Sequence, residues 1–518
     1  MSQSGRSDGT PVGQQVGQTG AQGWARAHWV ALAACVAAGL ALRAFFVALA
    51  PQHAFLIDHT QYMLWSAWAA EHGATSVYDL PSGHLINVRF PARAGRGPAT
   101  EPYPAIDVCN YPPLAGYIFW IQGWLWRALD SNVVTLPVGP ELAHYREFAG
   151  RTATSRVANT VAARAANAAV PIAADFLAAW GVLELVRVLG AGRRRGWPEV
   201  CSFGIALLAP PMFLNSAFWT QLDSCVACGL VWCIYLLISG RFVWAGLCYG
   251  VAITTKAQAV LLLPALAFAF VALWRARGVA PGRRFEFWKF AVASLVTVAV
   301  IVAPYTIAQR NDPGGGAWRW FRLAYVMPIR EFGAYTTLKA FNLWWIDYSV
   351  HNQSPAALNP DAIVALGLSK ARVGQIMLAT ALLLSAALCV WRWRWEPPAW
   401  VAFAALSLTA AFVFPTRVHE RYIYYGLPFL IVIAVTFRTW VPVLAALLLV
   451  GTFEMTWFLW LAPADAAPDE GAQSAGAAAW SLLLAVLTVA SFVYACAALL
   501  RRPGPARSRN PNGGLKIS

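Results

Sequence analysis

Long apolar runs separated by short polar turns dominate the chain. Continuous apolarity marks twelve of them, at roughly 29–50, 168–189, 199–217, 224–239, 242–255, 257–274, 288–308, 372–391, 398–414, 422–437, 440–461 and 479–500. A hydrocarbon layer of about 30 Å takes about 20 apolar helical residues to cross, and most of these runs approach that length. The pattern predicts an all-α polytopic membrane protein with about 12 transmembrane helices. The first run is too long for the apolar core of a signal peptide, and no small-residue cleavage site follows it. Residues 1–28 and 503–518 are expected to be tails, the first of them disordered. Residues 29–502 are expected to form one transmembrane domain, with outer loops at 51–167 and 309–371.

Two stretches depart from the simple spanning pattern. In Phe55–Gly73 the apolar residues Tyr62, Trp65, Trp68 and Ala69 recur at three- and four-residue spacing, which predicts a helix lying on the membrane surface. Asp58 stands at its expected N-terminus, where backbone N–H groups favour an ionised carboxylate, so it is either a helix cap or a catalytic base. Leu114–Leu129, after a Pro pair, is almost long enough to span. Its closely spaced Trp120, Trp124 and Trp126 suit an interface, and we expect it to be an interfacial or re-entrant helix.

Charge distribution supports that choice. If 114–129 does not span, the loops on the side of the N-terminus include GAGRRRG at 190–196, WRARGVAPGRR at 274–284 and WRWRW at 391–395, all basic. The other side receives 51–167, with eight Arg and eight Asp or Glu, and the acidic PADAAPDEGA at 463–472. This is the positive-inside pattern with both termini cytoplasmic. The net charge of +15 thus reports orientation, and no nucleic-acid motif accompanies it. With 58% hydrophobic and 12% charged residues and a mean hydropathy of +0.52, a soluble multidomain protein is excluded. Nine cysteines are scattered, nearly all within apolar runs; Cys225 and Cys228, one turn apart, are expected to pack, and no disulfide is predicted.

With that topology the polar clusters fall on the outer face: Asp58; Asn110-Tyr-Pro-Pro113; Trp219-Thr-Gln-Leu-Asp-Ser224; Thr254-Thr-Lys-Ala-Gln258; Phe341-Asn-Leu-Trp-Trp345; and His419-Glu-Arg-Tyr422. Lys256 is an ionisable group at membrane depth with no acid nearby in sequence, which marks function or a snorkelling side chain. His419, Glu420 and Arg421 are either an internal ion pair or an anion clamp, and Gln221 and Asp223 stand at the mouth of a span. Arg43, Asp175 and Glu454 lie within spans, where pairing among themselves is the economical expectation. Glu184 and Arg187, three apart, are expected to form an ordinary ion pair.

Taken together, these clusters resemble the GT-C superfamily of integral-membrane glycosyltransferases, from Arg43 to about Phe429. The resemblance is carried by an Asp after the first helix followed by Y-x-x-W, by YPPL at Tyr111–Leu114, W-x-Q-x-D-S from Trp219, T-K-x-Q at 255–258, F-N-L-W in the long loop, and H-E-R-Y. The set is similar to the dolichyl-phosphate-glucose-dependent glucosyltransferases and to bacterial polyprenyl-phosphate-sugar-dependent mannosyltransferases. It implies Asp58 as the base, Lys256, Arg421 and His419 as the donor-phosphate site, and Tyr111, Gln221, Asp223, Gln258, Asn342 and Trp344 as substrate-binding residues. Where the eukaryotic group has Asp before YPP this chain has Asn110, with Asp107 three residues earlier, so a second acid would be Asp107 or Asp223. Asp223 lacks the partner of a D-x-D pair, and no metal or other cofactor is expected.

The implied chemistry moves a hexose, mannose or glucose, from a polyprenyl-phosphate donor to a hydroxyl of a glycan, lipid or protein acceptor at the outer face of a bacterial cell membrane. A phosphate leaving group departs as a stable anion, so one base and a set of cations suffice, and a single displacement inverts the anomeric carbon. The alternative is a transporter or flippase of lipid-linked sugars, which would more often show an internal repeat and a midplane site.

Overall fold

The computed structural model describes residues 24–54, 56–79, 85–90, 99–104, 109–130, 154–190, 196–275, 286–311, 316–328, 335–352, 354–456 and 475–501. Asp107, residues 1–23 and 502–518, and most of the charged loops used for the topology lie outside them. The helices are α1 (Arg26–His53), α2 (Leu56–His72), α3 (Pro113–Leu129), α4 (Val161–Leu189), α5 (Trp197–Leu208), α6 (Pro210–Phe213), α7 (Asp223–Ile238), α8 (Phe242–Thr255), α9 (Leu263–Arg275), α10 (Phe287–Ala308), α11 (Leu343–Val350), α12 (Lys370–Trp393), α13 (Pro397–Val413), α14 (Leu427–Thr436), α15 (Val441–Met455) and α16 (Ala475–Leu500).

Each of the twelve apolar runs is mainly helical over its described residues. Seven helices are long and apolar enough to cross a membrane, and the pair 197–208 and 210–218, bent by 48°, makes eight if it is one span. The expected twelve are not reached by this measure, because α7, α8 and α13 are apolar but short and the run 422–437 holds only the ten residues of α14. For two of them the ends show buried polar groups meeting partners: α7 begins at Asp223, and α8 stops at Thr255, just before Lys256.

The junction between α1 and α2 is tighter than the sequence pattern predicts. Pro51 lies in the last turn of α1, Ala54 is extended, and α2 starts at Leu56. Asp58 is therefore in the first turn of α2, inside the helix rather than capping it. The proline pair opens α3, with Pro112 at the N-cap and Pro113 in the first turn, where a missing N–H costs nothing. Having 17 residues, α3 is not among the helices that qualify as spans. It packs along α2, α4 and α8, and presents Trp120 and Trp124 outward.

A charged network around Asp175 holds the apolar helices in register. Arg43 of α1 donates to Asp175 of α4 from Nε (3.0 Å) and Nη2 (2.6 Å), and from Nη1 to the carbonyl of Leu207 (3.0 Å). The hydroxyls of Ser216 (2.5 Å) and Tyr424 (2.8 Å) also donate to the Asp175 carboxylate, so this buried charge is bonded from α1, the π-helical turn 214–218 and the segment 420–425. Glu454 does not join them; its Oε1 accepts from the backbone N–H of Phe341 (2.6 Å). Glu184 and Arg187 form the local pair expected of them (2.7 Å).

Strands were not part of the expected all-α class. β1 (Leu85–Phe90), β2 (Ala99–Pro104) and β3 (Thr154–Ala158) form a three-stranded sheet in the order β2-β1-β3. β4 (Thr337–Leu338) runs parallel to β7 (Val418–His419), pairing Leu338 with His419, and β5 (Ile363–Ala365) pairs with β6 (Leu368–Ser369). The β4–β7 contact brings the long loop onto the H-E-R-Y segment.

Gly123 fixes the spacing of α2 and α3. A Cβ there would lie 2.0 Å from the carbonyl oxygen of Ser66, a backbone atom that cannot swing aside. We expect Gly123→Val to lower the thermal stability of detergent-purified protein by the roughly 1–3 kcal/mol typical of overpacking. Trp124→Leu, on the outward face one residue away, should leave the melting temperature nearly unchanged.

Candidate functional site

Four segments distant in sequence meet at one end of the helical bundle, and each is placed by a break in regular structure. The α1–α2 turn delivers Asp58. The second break follows α6: a π-helical turn at Leu214–Phe218 widens the helix, and Thr220 then takes the left-handed region with φ of 59° before α7 begins. A non-glycine residue there costs roughly 1–2 kcal/mol and marks a conformation that the surroundings enforce. It sets Gln221 and Asp223 on the site side. The third break is at Lys256, which leaves α8 in an extended conformation before the 3-10 turn 257–262. The fourth is β7 with the 3-10 turn Glu420–Tyr425, entered through Arg417 at φ of 68°.

The polar groups make a continuous network. Gln221 donates from Nε2 to Asp58 Oδ2 (2.6 Å), while its Oε1 accepts from the hydroxyl of Tyr62 (2.6 Å). Tyr62 and Tyr111 share a hydroxyl hydrogen bond (2.6 Å). The amide of Gln221 thus has its orientation set by the tyrosines and its N–H aimed at Asp58. Arg421 Nη1 stands 3.6 Å from the same Oδ2 and 3.1 Å from Glu420 Oε1. Asp223, fully buried, accepts from Lys256 Nζ (2.7 Å), from the Tyr425 hydroxyl, and from Asn215 Nδ2 (3.4 Å). Arg421 Nε lies 3.9 Å from Asp223 Oδ2, so one guanidinium faces three carboxylates. Lys256 Nζ also sits 5.4 Å from the Tyr111 ring centre, and Gln258 donates to the Tyr422 hydroxyl (2.6 Å).

Burial and charge pull against each other here. Burial alone would push the Glu420 carboxyl up, but its hydrogen bond with His419 and the neighbouring Arg421 outweigh that and hold it down at about 2. Burial, then the Arg421 charge, lowers the His419 pKa from its ordinary value, so the imidazole is largely neutral at pH 7. The pKa of Arg421 is itself raised despite burial, chiefly by Glu420 and then Asp58.

The structure brings together Asp58, Tyr111, Gln221, Asp223, Lys256, Gln258, His419 and Arg421. Asn342 and Trp344 are engaged elsewhere. The Asn342 side chain caps α11, accepting from the backbone N–H groups of Trp344 (3.0 Å) and Trp345 (3.2 Å), and the Trp344 indole donates to the carbonyl of Phe414 (2.7 Å). Their polar atoms are engaged in holding the long loop. His419 lies against Glu420, its Nδ1 3.7 Å from Glu420 Oε2. Lys256 is not the isolated charge that its sequence neighbourhood implies, because Asp223 arrives from 33 positions earlier. Sequence reasoning also passed over Asn215, Tyr425 and Arg164. The first two donate to Asp223, and the third is buried within electrostatic reach of Asp58. Only the run of tyrosines after H-E-R-Y, Tyr422, Tyr424 and Tyr425, offered a sign of this. Among the described residues, no three His, Cys, Asp or Glu side chains are grouped to hold a metal ion.

No known protein family and no curated protein matches the chain. Among solved structures it is similar to the oligosaccharyltransferase of Archaeoglobus fulgidus. The apo form gives 13% identity and a TM-score of 0.42 over 93% of this chain and 57% of that one. The form tethered to an acceptor peptide gives 14% and 0.40 over 93% and 56%. AglB from the same organism, in complex with an inhibitory peptide and a dolichol-phosphate, gives 14% and 0.40 over 93% and 57%. The chain thus spans less than three-fifths of the length of these proteins. A likeness this distant assigns no role to individual residues.

The Lys256–Asp223 pair is testable as a buried ion pair. Removing one partner leaves the other charge uncompensated, at a cost of about 3–5 kcal/mol. Lys256→Met and Asp223→Asn should each lower the melting temperature sharply, and the double variant should recover part of the loss. Strictly additive losses in the double-mutant cycle would show that the two side chains do not depend on each other.

Proposed function

We propose that the protein is a membrane glycosyltransferase of the GT-C type that moves a hexose, mannose or glucose, from a polyprenyl-phosphate donor to an acceptor hydroxyl, with Asp58 as base. The observation that carries this reading is the setting of Asp58. It is a partly exposed carboxylate, its side chain 18% accessible, beside the Lys256 and Arg421 cations at one end of a bundle of apolar helices. Both of its close contacts, with Gln221 and Arg421, fall on Oδ2. Oδ1 is then the oxygen that an incoming hydroxyl meets. Asp223 is a poor base by comparison, since it has no exposed surface and both of its oxygens are engaged.

The step is a single displacement. The acceptor O–H gives its proton to Asp58, the acceptor oxygen bonds to the anomeric carbon, and the bond from that carbon to the phosphate oxygen breaks with inversion. The leaving group is polyprenyl phosphate, whose growing charge needs cations in place before the reaction. Tyr62 and Gln221 fix the base, and Asp223 and Glu420 fix the positions of Lys256 and Arg421. The acceptor is a glycan, a lipid or a protein, and the setting is the outer face of a bacterial cell membrane with both chain termini cytoplasmic. The connectivity supports this placement, because the site is made where α1 and α8 end, α7 begins, and β7 follows α13.

Asp58→Asn retains the size of the side chain but cannot take a proton. In purified protein given a radiolabelled polyprenyl-phosphate hexose, transfer should fall by roughly 10²–10⁴-fold while donor binding persists. Transfer at the wild-type rate would remove Asp58 as the base. For orientation, single cysteines can be introduced into a background lacking the exposed Cys201. Asp361→Cys, in the long loop, should react with an impermeant thiol reagent in intact cells, and Arg241→Cys, in the α7–α8 turn, should be protected. The reverse pattern would invert the topology.

A further inference from the structure

Within the site described above, the two strong cations are already matched. Lys256 is bonded to Asp223, and Arg421 lies among Asp58, Asp223 and Glu420. Two cations against three carboxylates leave the cluster with an excess of one negative charge when His419 is neutral, which is a poor setting for an incoming phosphate. The missing positive charge is Arg164, in the first turn of α4 and with no exposed surface. Its Nε donates to Asn159 Oδ1 (2.9 Å), and Asn159 Nδ2 in turn donates to the carbonyl of Pro51 (2.8 Å) near the end of α1. This fixes the plane of the guanidinium. Its two terminal nitrogens, Nη1 and Nη2, are buried with no hydrogen-bond partner.

A rigid, buried guanidinium fork without an acceptor is an unmet demand for an anion with two oxygens in one plane. The Asp58 carboxylate lies close enough for its charge to favour the ionised guanidinium, and the one acceptor bonded to the Arg164 side chain is Asn159. We infer that Arg164 binds two phosphate oxygens of the polyprenyl-phosphate donor through Nη1 and Nη2, with Asn159 as its positioning residue. This inference rests on the proposed transfer reaction.

The test measures binding rather than turnover. Full-length protein in nanodiscs of zwitterionic lipid is titrated with polyprenyl phosphate, with the matching polyprenol, and with phosphatidylglycerol. The wild type should bind the phosphate at least about tenfold more tightly than the alcohol, and Arg164→Gln should erase that difference. Arg164→Lys should restore only part of it, since an ammonium supplies charge without the two-pronged geometry. A purely structural Arg164 would not alter discrimination between phosphate and alcohol, so Arg164→Gln with wild-type discrimination overturns the inference. If phosphatidylglycerol competes as well as polyprenyl phosphate, the fork holds bulk lipid headgroups and the donor assignment is wrong. Should Arg164→Gln fail to fold, Asn159→Leu retains the charge and releases its anchor. It should weaken phosphate binding several-fold, and unchanged binding would again overturn the inference. A wild-type protein that does not distinguish phosphate from alcohol would instead defeat the transferase reading itself.

Discussion

A carboxylate with no exposed surface stays ionised only if other groups are brought to it, and the architecture around Asp223 is built on that requirement. Taking such an ion out of water costs several kcal/mol unless it is paired and hydrogen-bonded. Its partners come from Lys256 at the end of α8, Tyr425 before α14, Asn215 in the π-helical turn, and Arg421 after β7. None of these segments could drift without stranding the charge. The short helices, the left-handed Thr220 and the extended Lys256 follow from the need to deliver these groups.

Asp175 repeats the solution one layer away, and the 3-10 turn 420–425 joins the two. Tyr424 donates to Asp175 while Tyr425, the next residue, donates to Asp223. Ser224, beside Asp223, shares a hydrogen bond with the Tyr424 hydroxyl (3.0 Å). Arg421 at the start of the same turn reaches Asp58 and Glu420. Within six residues, this turn reaches Asp58, Asp175 and Asp223. The catalytic candidate therefore inherits its rigidity from contacts gathered by this one turn.

Much of this was legible in the sequence, for identifiable reasons. Apolar periodicity locates helices, so the runs that became α1, α4, α10, α12 and α16 were plain. The polar clusters stood out because ionisable groups are costly beside hydrocarbon. What the sequence hid was pairing. Lys256 has no acid nearby in the chain, and its partner is fixed by how α7 packs on α8. Arg164 resembles any first-turn arginine, and its unmatched nitrogens exist only in three dimensions. The capping by Asn342 and the Trp344–Phe414 hydrogen bond were also hidden, because a motif in a loop reads alike whether it faces a ligand or caps a helix. Helix length also misled, since a run such as 224–239 is apolar enough to cross yet ends where Asp223 begins the helix.

The parallel pairing of β4 with β7 gives the long loop a mechanical part in the site. Leu338 of the loop is matched to His419, two residues before Arg421, and the next turn of the loop is tied down where Phe341 donates to Glu454. The long loop and the strand that leads to Arg421 are therefore placed together: a change that displaces Leu338 or Phe341 is a change in the setting of the guanidinium beside Asp58.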